Sequence, residues 1–254
     1  MSKQLGRGIK RILRVTSYNC LAENSGIYAR DEGKQLHTSP ADTGIDMEEP
    51  SFPQDACKLG KKPPAFQAGE VSKSPVRICI DISQIAHQGT GVSSYTEKLV
   101  ENLLKFDKEN EYTLFFSSLR KNLKPPISNI KEINPKVKIK TFKLPPSLLD
   151  ILWNRLHIFP IEWFIGEVDV LVTSDWTEPP TIKAKKMTIL YDLVVYKYPE
   201  GMDKKIVETQ KRKLAWVKKE SEMIICISEE TKKDAMAILG IEEKRLKVVY
   251  PGGL

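Results

Sequence analysis

Three consecutive residues, Gly89-Thr90-Gly91, have the composition of a loop that lets a ligand approach the polypeptide backbone. Glycine has no side chain to block the approach, and the free N–H groups at the start of a following helix favour an anion such as phosphate. A plain tight turn, with Thr90 or Ser93 as the N-cap of the helix, explains the same residues. The glycine fingerprint of dinucleotide-binding proteins is incomplete, because Ser94 occupies the place of its third glycine. The sequence therefore predicts no NAD site at this loop.

Polar side chains next to an aromatic ring indicate a sugar-binding site at Asp175 and Trp176. Sugar hydroxyl groups need hydrogen bonds, and the C–H face of a sugar packs on an indole ring. Turn formation is the alternative, since Asp often starts turns and prolines end regular elements. His87, beside the glycine loop, is a further candidate, or is only a solvated loop residue. We therefore treat His87, Asp175 and Trp176 as candidate contacts to a sugar or an acceptor.

Tyr191-Asp192 and Ser228 each follow a predicted strand. A carboxylate at Asp192 could hydrogen-bond a ligand hydroxyl, or it could cap the loop behind it. Ser228 is well suited to cap a helix whose first turn contains acidic residues, although a helix N-terminus can also hold an anion. Both positions therefore have a structural explanation beside the functional one.

The elements that must position these residues alternate along the chain. Short apolar runs predict buried strands, and apolar residues at helical spacing predict the helices between them. The strands are predicted at 76–82, 112–116, 137–142, 168–172, 187–191, 223–227 and 246–250, and the helices around 95–104 and at 148–164, 203–220 and 229–239. This order predicts an α/β domain with a mostly parallel sheet and helices on both faces. Ligands bind such sheets beyond the carboxyl ends of the strands, where the candidates lie.

Composition excludes several classes of protein. The chain has 254 residues, a net charge of +7 and 41% hydrophobic residues. No run approaches the roughly 20 apolar residues that cross a bilayer, so the sequence does not predict a transmembrane protein. Its four cysteines form no CxxC pair, which argues against a disulfide scaffold and a zinc site and favours a reducing compartment. We expect no metal.

Residues 1–75 differ from the rest of the chain. They have no sustained apolar periodicity, and their apolar surface is too small to offset the entropy of ordering. We predict a largely disordered, flexible extension before a domain at 76–254. Within it, apolar residues at helical spacing among basic ones suggest a short amphipathic helix at 3–15 that could contact anionic membrane. Gly6 and Gly8 favour a frayed basic terminus instead.

The order of the motifs resembles that of a known family. The glycine segment at 89–99 is similar to the one that opens the N-terminal domain of family 4 glycosyltransferases of the GT-B fold. Tyr-Asp-Leu at 191–193 and Tyr-Pro-Glu at 198–200 resemble that family's His-Asp-Leu and Pro-Glu element. The stretches at 222–234 and 247–252 resemble its tract of an apolar strand, Ser-Glu and a final Tyr-Pro-Gly. The resemblance covers residues 76–254.

The resemblance implies a Rossmann-like three-layer domain and a retaining, metal-independent transferase. Such an enzyme moves a sugar from a nucleotide sugar, which is a substrate and not a cofactor, to a glycan or lipid-linked acceptor. The N-terminal half mainly holds the acceptor, and Gly89, Thr90 and Gly91 would face the donor phosphates. Tyr191 and Asp192 would occupy the catalytic element. His87, Asp175, Trp176 and Ser228 would be on the acceptor or sugar side.

Two departures from the family shape the expectation. The position of the family's catalytic histidine is Tyr191, and a phenol, with a pKa of about 10, is a poor replacement at neutral pH. The family's nucleotide-binding domain is also missing after the linker-like Pro251-Gly252-Gly253. We therefore expect a half-enzyme, either a fragment or one partner of a split enzyme, that is inactive alone and needs a second Rossmann-like domain in trans. The alternative is a non-catalytic module that binds a glycan or a lipid-linked sugar.

Basic residues crowd the helix predicted at 203–220, among them Lys204, Lys205, Lys213 and Lys218. A solvated helix face is the default explanation. We expect a cytoplasmic protein, and because such a surface in the family can contact anionic membrane, peripheral contact with the inner face of the membrane is the alternative to a solvated face. A basic protein that binds membrane or nucleic acid non-specifically is a weaker alternative. Acidic residues interrupt the basic ones and no aromatic platform accompanies them, so we expect no nucleic-acid partner.

Overall fold

The computed structural model describes residues 74–125, 127–173 and 175–251. The predicted extension, with its basic helix at 3–15, lies outside these residues except for its last two. Seven strands form one sheet: β1 Arg77–Asp81, β2 Glu111–Ser117, β3 Lys138–Phe142, β4 Val170–Thr173, β5 Lys185–Leu190, β6 Ser221–Cys226 and β7 Leu246–Val248. Their order across the sheet is β3-β2-β1-β4-β5-β6-β7.

Every strand pairing in the described part of the chain is parallel. The helices that connect the strands are α1 Gly91–Phe106, α2 Ile130–Ile133, α3 Pro146–Leu149, α4 Glu162–Ile165, α5 Val194–Lys197, α6 Lys204–Glu220 and α7 Glu229–Leu239. The predicted α/β class is confirmed, and the fold is Rossmann-like.

The central strands β1, β2 and β4 are almost wholly buried because both faces of the sheet are covered there, whereas the edge strand β3 is largely exposed. Ile78 and Ile80 of β1 share a core cluster with Leu103 of α1 on one face. Cys79, between them in sequence, belongs to a separate cluster with Trp153. Alternate side chains of a strand point to opposite faces, so these two clusters are the interfaces of three layers. Each fully buried large apolar side chain contributes roughly 1.5–3 kcal/mol.

The prediction of a single helix at 148–164 is wrong. Three pieces replace it: α3, a π-helical turn at Asp150–Arg155 and α4. Between the last two, His157 and Phe159 have φ values of 52° and 61°, which no right-handed helix contains. The indole Nε1 of Trp153 donates to the Phe159 carbonyl (3.0 Å), and this hydrogen bond holds the non-helical backbone at 157–159 in place. Pro160, which cannot continue a helix, follows directly.

A buried polar network stabilises the middle of the sheet. Glu178 is fully buried and accepts a hydrogen bond from Thr173 Oγ1 (2.6 Å), and its Oε1 lies 3.8 Å from Lys186 Nζ. Lys186 also pairs with Glu220 at the end of α6. Because these buried charges are paired and hydrogen-bonded, their burial needs no ligand to explain it. Among the described residues, no helix combines the length and the apolar character that crossing a membrane requires.

Candidate functional site

A cleft of about 270 Å³ opens where β1, β2 and β4 end. Its walls come from the segments that follow these strands: the turn after β1, the turn after β2 and the loop after β4. The strand order runs from β1 to β2 and β3 on one side and to β4 and the later strands on the other. The cleft therefore lies at the point where the strand order reverses, which is the usual ligand site of an open parallel sheet.

The floor of the cleft is held by hydrogen bonds around Asp81, the last residue of β1. Asp81 Oδ1 accepts from the backbone N–H of Ser83 (2.9 Å) and from Ser83 Oγ (2.6 Å). Ser83 Oγ accepts from the N–H of Ser117 (3.0 Å), which joins the ends of β1 and β2. Burial raises the pKa of Asp81, and the bonds from Ser83 and the charge of Lys213 oppose that rise. The floor is thus rigid, and its carboxylate is already bonded.

Thr90 is the N-cap of α1, as one of the two sequence explanations predicted. Its Oγ1 accepts from the N–H of Ser93 (3.2 Å) and donates to the His87 carbonyl (2.9 Å). Gly89 has a φ of +82°, which glycine adopts without strain. A Cβ at either Gly89 or Gly91 would meet nothing within 4 Å. Space for a ligand therefore exists beside the loop, although none of its three residues lines the cleft. Their contact with donor phosphates stays a prediction.

Two of the predicted sugar contacts lie in the cleft itself. His87 lines it from the turn after β1, and Trp176 lines it from the loop after β4. His87 is exposed and Trp176 is half-buried, with its carbonyl held by Asn154 Nδ2 (2.9 Å). An imidazole and an indole from distant parts of the sequence therefore share one surface, and their contact with a sugar stays a prediction.

Asp175 lies next to this surface, and its backbone carbonyl accepts from Gln210 Nε2 of α6 (3.1 Å). Burial raises the pKa of Asp175, Lys213 opposes the rise, and Asp192 reinforces it. His87 also acts on the Asp175 carboxyl electrostatically. Asp175 therefore lies within electrostatic range of His87 and Asp192, although Asp175 and Asp192 are not cleft-lining residues.

Asp192 and Ser228 have the structural roles that the sequence offered as alternatives. Asp192 is exposed, and its Oδ1 accepts from the N–H of Val194 (3.0 Å), the first residue of α5. Ser228 caps α7, since its Oγ accepts from the N–H of Thr231 (3.1 Å). The capping explanations are confirmed, and a ligand contact by either residue stays a prediction.

Tyr191 connects β5 to α1. Its hydroxyl lies 3.1 Å from Thr96 Oγ1, and its ring packs edge-on against Tyr95 with the centroids 5.6 Å apart. Its carbonyl accepts from Thr231 Oγ1 (2.9 Å) at the start of α7. The side chain at the predicted catalytic position therefore points at the helix that follows the glycine loop and does not line the cleft.

The turn after β2 contributes residues that the sequence reasoning missed. Arg120 and Lys121 line the same cleft as Trp176. Lys121 Nζ donates to the carbonyl of Ala86 (2.8 Å), which ties this turn to the turn after β1. Both residues follow the strand predicted at 112–116, so the rule of searching beyond each strand would have found them.

Lys213 corrects the interpretation of the basic helix. Its side chain is 2% exposed, whereas a solvated face was predicted for it. Burial lowers its pKa, and the carboxylates of Glu178, Asp175 and Asp81 oppose that change. The buried side chain of Lys213 on α6 therefore interacts electrostatically with the acidic residues at the end of β1 and in the loop after β4. Exposed lysines of the same helix, such as Lys204 and Lys218, keep the predicted solvated position.

No group of three or more His, Cys, Asp and Glu side chains within 74–125, 127–173 and 175–251 is placed to hold a metal ion. What the cleft offers is one aromatic ring, one imidazole and a basic wall beside buried carboxyl groups. This combination can bind a polar ligand that has both an apolar face and hydrogen-bonding groups.

Comparisons with known proteins find a distant likeness among solved structures. No family model matches the chain, and no curated protein matches it. Among solved structures, the chain is similar to an NADH-dependent reductase, A1-R′, described as complexed with NAD. The likeness has 12% sequence identity and a TM-score of 0.34, and it covers 72% of this chain and 98% of the reductase. At that TM-score the reductase informs neither the fold nor the ligand of this chain.

Proposed function

We propose that residues 76–254 are the acceptor-binding half of a retaining glycosyltransferase. The complete enzyme would move a sugar from a nucleotide sugar to a glycan or lipid-linked acceptor, with a second Rossmann-like domain in trans that holds the nucleotide. The observation that carries the proposal is that His87 and Trp176, both chosen from sequence as sugar contacts, line one cleft where the strand order reverses.

The chemistry of the cleft supports a sugar ligand. The Trp176 indole offers a flat apolar face for the C–H groups of a sugar ring, and the His87 imidazole offers a hydrogen bond to a hydroxyl. Pockets for drug-sized ligands measure about 300–1,000 Å³, so a cleft of about 270 Å³ suits a single sugar unit.

The carboxyl groups beside the cleft suit the acceptor. A transferase must bind the acceptor hydroxyl and take its proton as the new glycosidic bond forms. Asp175 is suited to this task because burial raises the pKa of its carboxyl above the usual value, and the rise persists although Lys213 and His87 oppose it. Asp192, also in electrostatic range of Asp175, would orient a hydroxyl of the sugar. Gly89, Thr90 and Gly91 would face the donor phosphates.

The second candidate is a non-catalytic module that binds a glycan or a lipid-linked sugar. The observation in its favour is the position of Tyr191. Its hydroxyl contacts Thr96 and its ring packs on Tyr95, so the position expected to hold a catalytic side chain holds a structural one. The two candidates share the sugar site and differ in whether turnover appears when a nucleotide-sugar domain is supplied.

Calorimetric titration with candidate acceptor glycans tests the shared part. We expect binding by the parent, binding at least about tenfold weaker for Trp176→Ala, and binding unchanged for Trp163→Ala, which removes an indole that is 67% exposed and outside the cleft. Asp192→Ala reports whether that carboxylate contributes. If no glycan binds to the parent, both candidates are wrong.

Transfer assays then separate the candidates. The chain is mixed with nucleotide-sugar domains of GT-B enzymes, a nucleotide sugar and the acceptor that binds. Turnover that needs both domains supports the half-enzyme. Glycan binding without turnover in any mixture favours the binding module, and robust turnover by this chain alone contradicts the half-enzyme.

A cytoplasmic protein at the inner face of the membrane is consistent with a lipid-linked acceptor. Exposed lysines of α6, including Lys204, Lys205 and Lys218, offer charge to anionic lipid. Sedimentation with vesicles tests this contact: we expect more bound protein with anionic vesicles than with neutral ones, and less as salt rises. Equal sedimentation with both kinds of vesicle would contradict it.

A further inference from the structure

We infer that the acceptor carries an oxyanion, a phosphate or a carboxylate, and that Arg120 binds it. This inference rests on the proposed function, because it assigns a chemical class to the ligand of the same cleft. The residues that support it lie in the turn after β2, which none of the sequence motifs includes.

Five arginines lie within residues 74–125, 127–173 and 175–251, which the structure describes. Among them, only the guanidinium of Arg120 donates no hydrogen bond to an acceptor in those residues. The other four are engaged: Arg77 with Asp169, Arg155 and Arg212 with Asp150, and Arg245 with backbone carbonyl groups. A guanidinium group has five N–H donors in a planar fork that matches two oxygens of a carboxylate or phosphate. The fork of Arg120 is thus available to a ligand, and it lies at a cleft wall.

The backbone around Arg120 is fixed, although its side chain is exposed. The N–H of Ser118 donates to the Phe142 carbonyl (3.0 Å), and the N–H of Lys121 donates to Ser118 Oγ (3.1 Å). Lys121 Nζ, bonded to the Ala86 carbonyl, fastens the same turn across the mouth of the cleft. Arg120 therefore lies between two hydrogen-bonded residues, Ser118 and Lys121, so its guanidinium needs little backbone ordering to bind a ligand.

The charges around this wall favour an anion. Lys121 lines the cleft with Arg120, and Lys124 reaches the loop at Gln88 (Nζ to Oε1, 3.4 Å). The acid that lines the cleft, Asp81, is 7% exposed and directs Oδ1 to Ser83. Arg120 and Lys121 therefore make this wall positive, and Asp81, the acid among the lining residues, faces the floor, while Asp175 lies beside the cleft and does not line it.

Trp176 lines the same cleft and restricts the ligand further. An inorganic anion alone would use the guanidinium and leave the indole without a contact. A sugar that carries a phosphate or carboxylate uses both, with its ring on Trp176 and its oxyanion on Arg120. The predicted ligand is therefore an anionic sugar.

Calorimetric titrations with matched sugars test the inference. The probes are hexose 1-phosphates, hexuronic acids, the corresponding neutral hexoses and inorganic phosphate. We expect at least one anionic class to bind about tenfold or more tightly than its neutral hexose, and Arg120→Ala to weaken that binding roughly 10- to 100-fold, as for loss of a charged hydrogen-bonded pair. Arg120→Lys should restore only part of the affinity, since it keeps the charge and loses the fork.

The control is Lys183→Ala, which removes one exposed positive charge outside the cleft and should leave the affinity unchanged. Thermal melts of both variants show that the fold is intact. Preference for hexose phosphates assigns a phosphate, and preference for uronic acids assigns a carboxylate. Neutral hexoses that bind as tightly as the anionic ones, or an Arg120→Ala variant that binds like Lys183→Ala, would overturn the inference.

The proposed function can survive that failure. If sugars bind through Trp176 while Arg120→Ala has no effect, the sugar site stands and the oxyanion assignment is wrong. If no sugar of any class binds to the parent, both are wrong.

Discussion

Replacing Lys213 with methionine should destabilise the protein strongly at neutral pH and much less in acid. The Lys213 ammonium is 2% exposed and acts on three carboxyl groups, those of Asp81, Asp175 and Glu178. Methionine has a similar length and no charge, so Lys213→Met leaves those carboxylates without their buried cation. Removing one partner from a buried charged group costs about 3–5 kcal/mol, which is a large share of the roughly 5–15 kcal/mol that stabilises a domain.

The pH dependence follows from the directions of the pKa changes. Burial already raises the pKa values of Asp81 and Asp175, so the folded state takes up protons more readily than the unfolded state. Without Lys213 their pKa values rise further. As pH falls, these acids become neutral and the variant recovers stability, whereas the parent keeps a buried ammonium whose neighbours have lost their charge. The difference between parent and variant therefore shrinks as pH falls.

Denaturant unfolding at about pH 8 and about pH 4.5 measures the free energy of unfolding of parent and variant. Lys218→Met is the matched control, because Lys218 is exposed on the same helix and its replacement should change stability by no more than about 0.5 kcal/mol. The reasoning is refuted if Lys213→Met is as stable as the parent at the higher pH. It is also refuted if the loss of stability is the same at both pH values.

Three further experiments test the fold around the site and the core of the sheet. Gly89→Ala should cost roughly 1–2 kcal/mol because φ is +82°, whereas Gly91→Ala, with open space at the first residue of α1, should be neutral or slightly stabilising; equal thermal shifts would contradict this. Tyr191→Phe should lose about 1 kcal/mol of unfolding free energy with its contact to Thr96, and unchanged stability would count against that contact. Burial raises the pKa of Cys226 to about 12, so peptide mapping should find it unalkylated until the protein unfolds, and rapid labelling of the native protein would contradict its burial.

The central strands could be predicted from the sequence because each contains a short apolar run that is buried on both faces of the sheet. The predicted strand at 187–191 and the observed Lys185–Leu190 differ by one or two residues at the ends. Strand ends depend on the neighbouring strands, which local sequence does not reveal. Lys185, for example, pairs in register with Val170 of β4.

The failure at 148–164 has a long-range cause. The segment is apolar at helical spacing, but His157 stacks on Trp216 of α6 with the ring centroids 3.6 Å apart, and its Nε2 lies 3.0 Å from Glu220. These contacts, about sixty residues away in sequence, hold His157 in the left-handed region. Pro160 was the local signal that a continuous helix would end.

The candidate site could be predicted in part. His87 and Trp176 were found because each follows a buried strand, and parallel strands bring their carboxyl ends to one edge. Arg120 follows a strand too, but no motif drew attention to it. Lys213 could not be found in this way, since only the packing of α6 shows which of several helical lysines is buried.

The central claim, that this cleft binds a sugar, is tested most directly by the indole N–H resonances of the four tryptophans in a nuclear magnetic resonance titration with neutral and anionic glycans. Trp176 alone among them lines the cleft, while Trp153 is fully buried and Trp163 and Trp216 lie elsewhere. We predict a saturable shift of the Trp176 resonance, with the other three unchanged. No shift with any glycan, or a shift centred on Trp163, would contradict the claim.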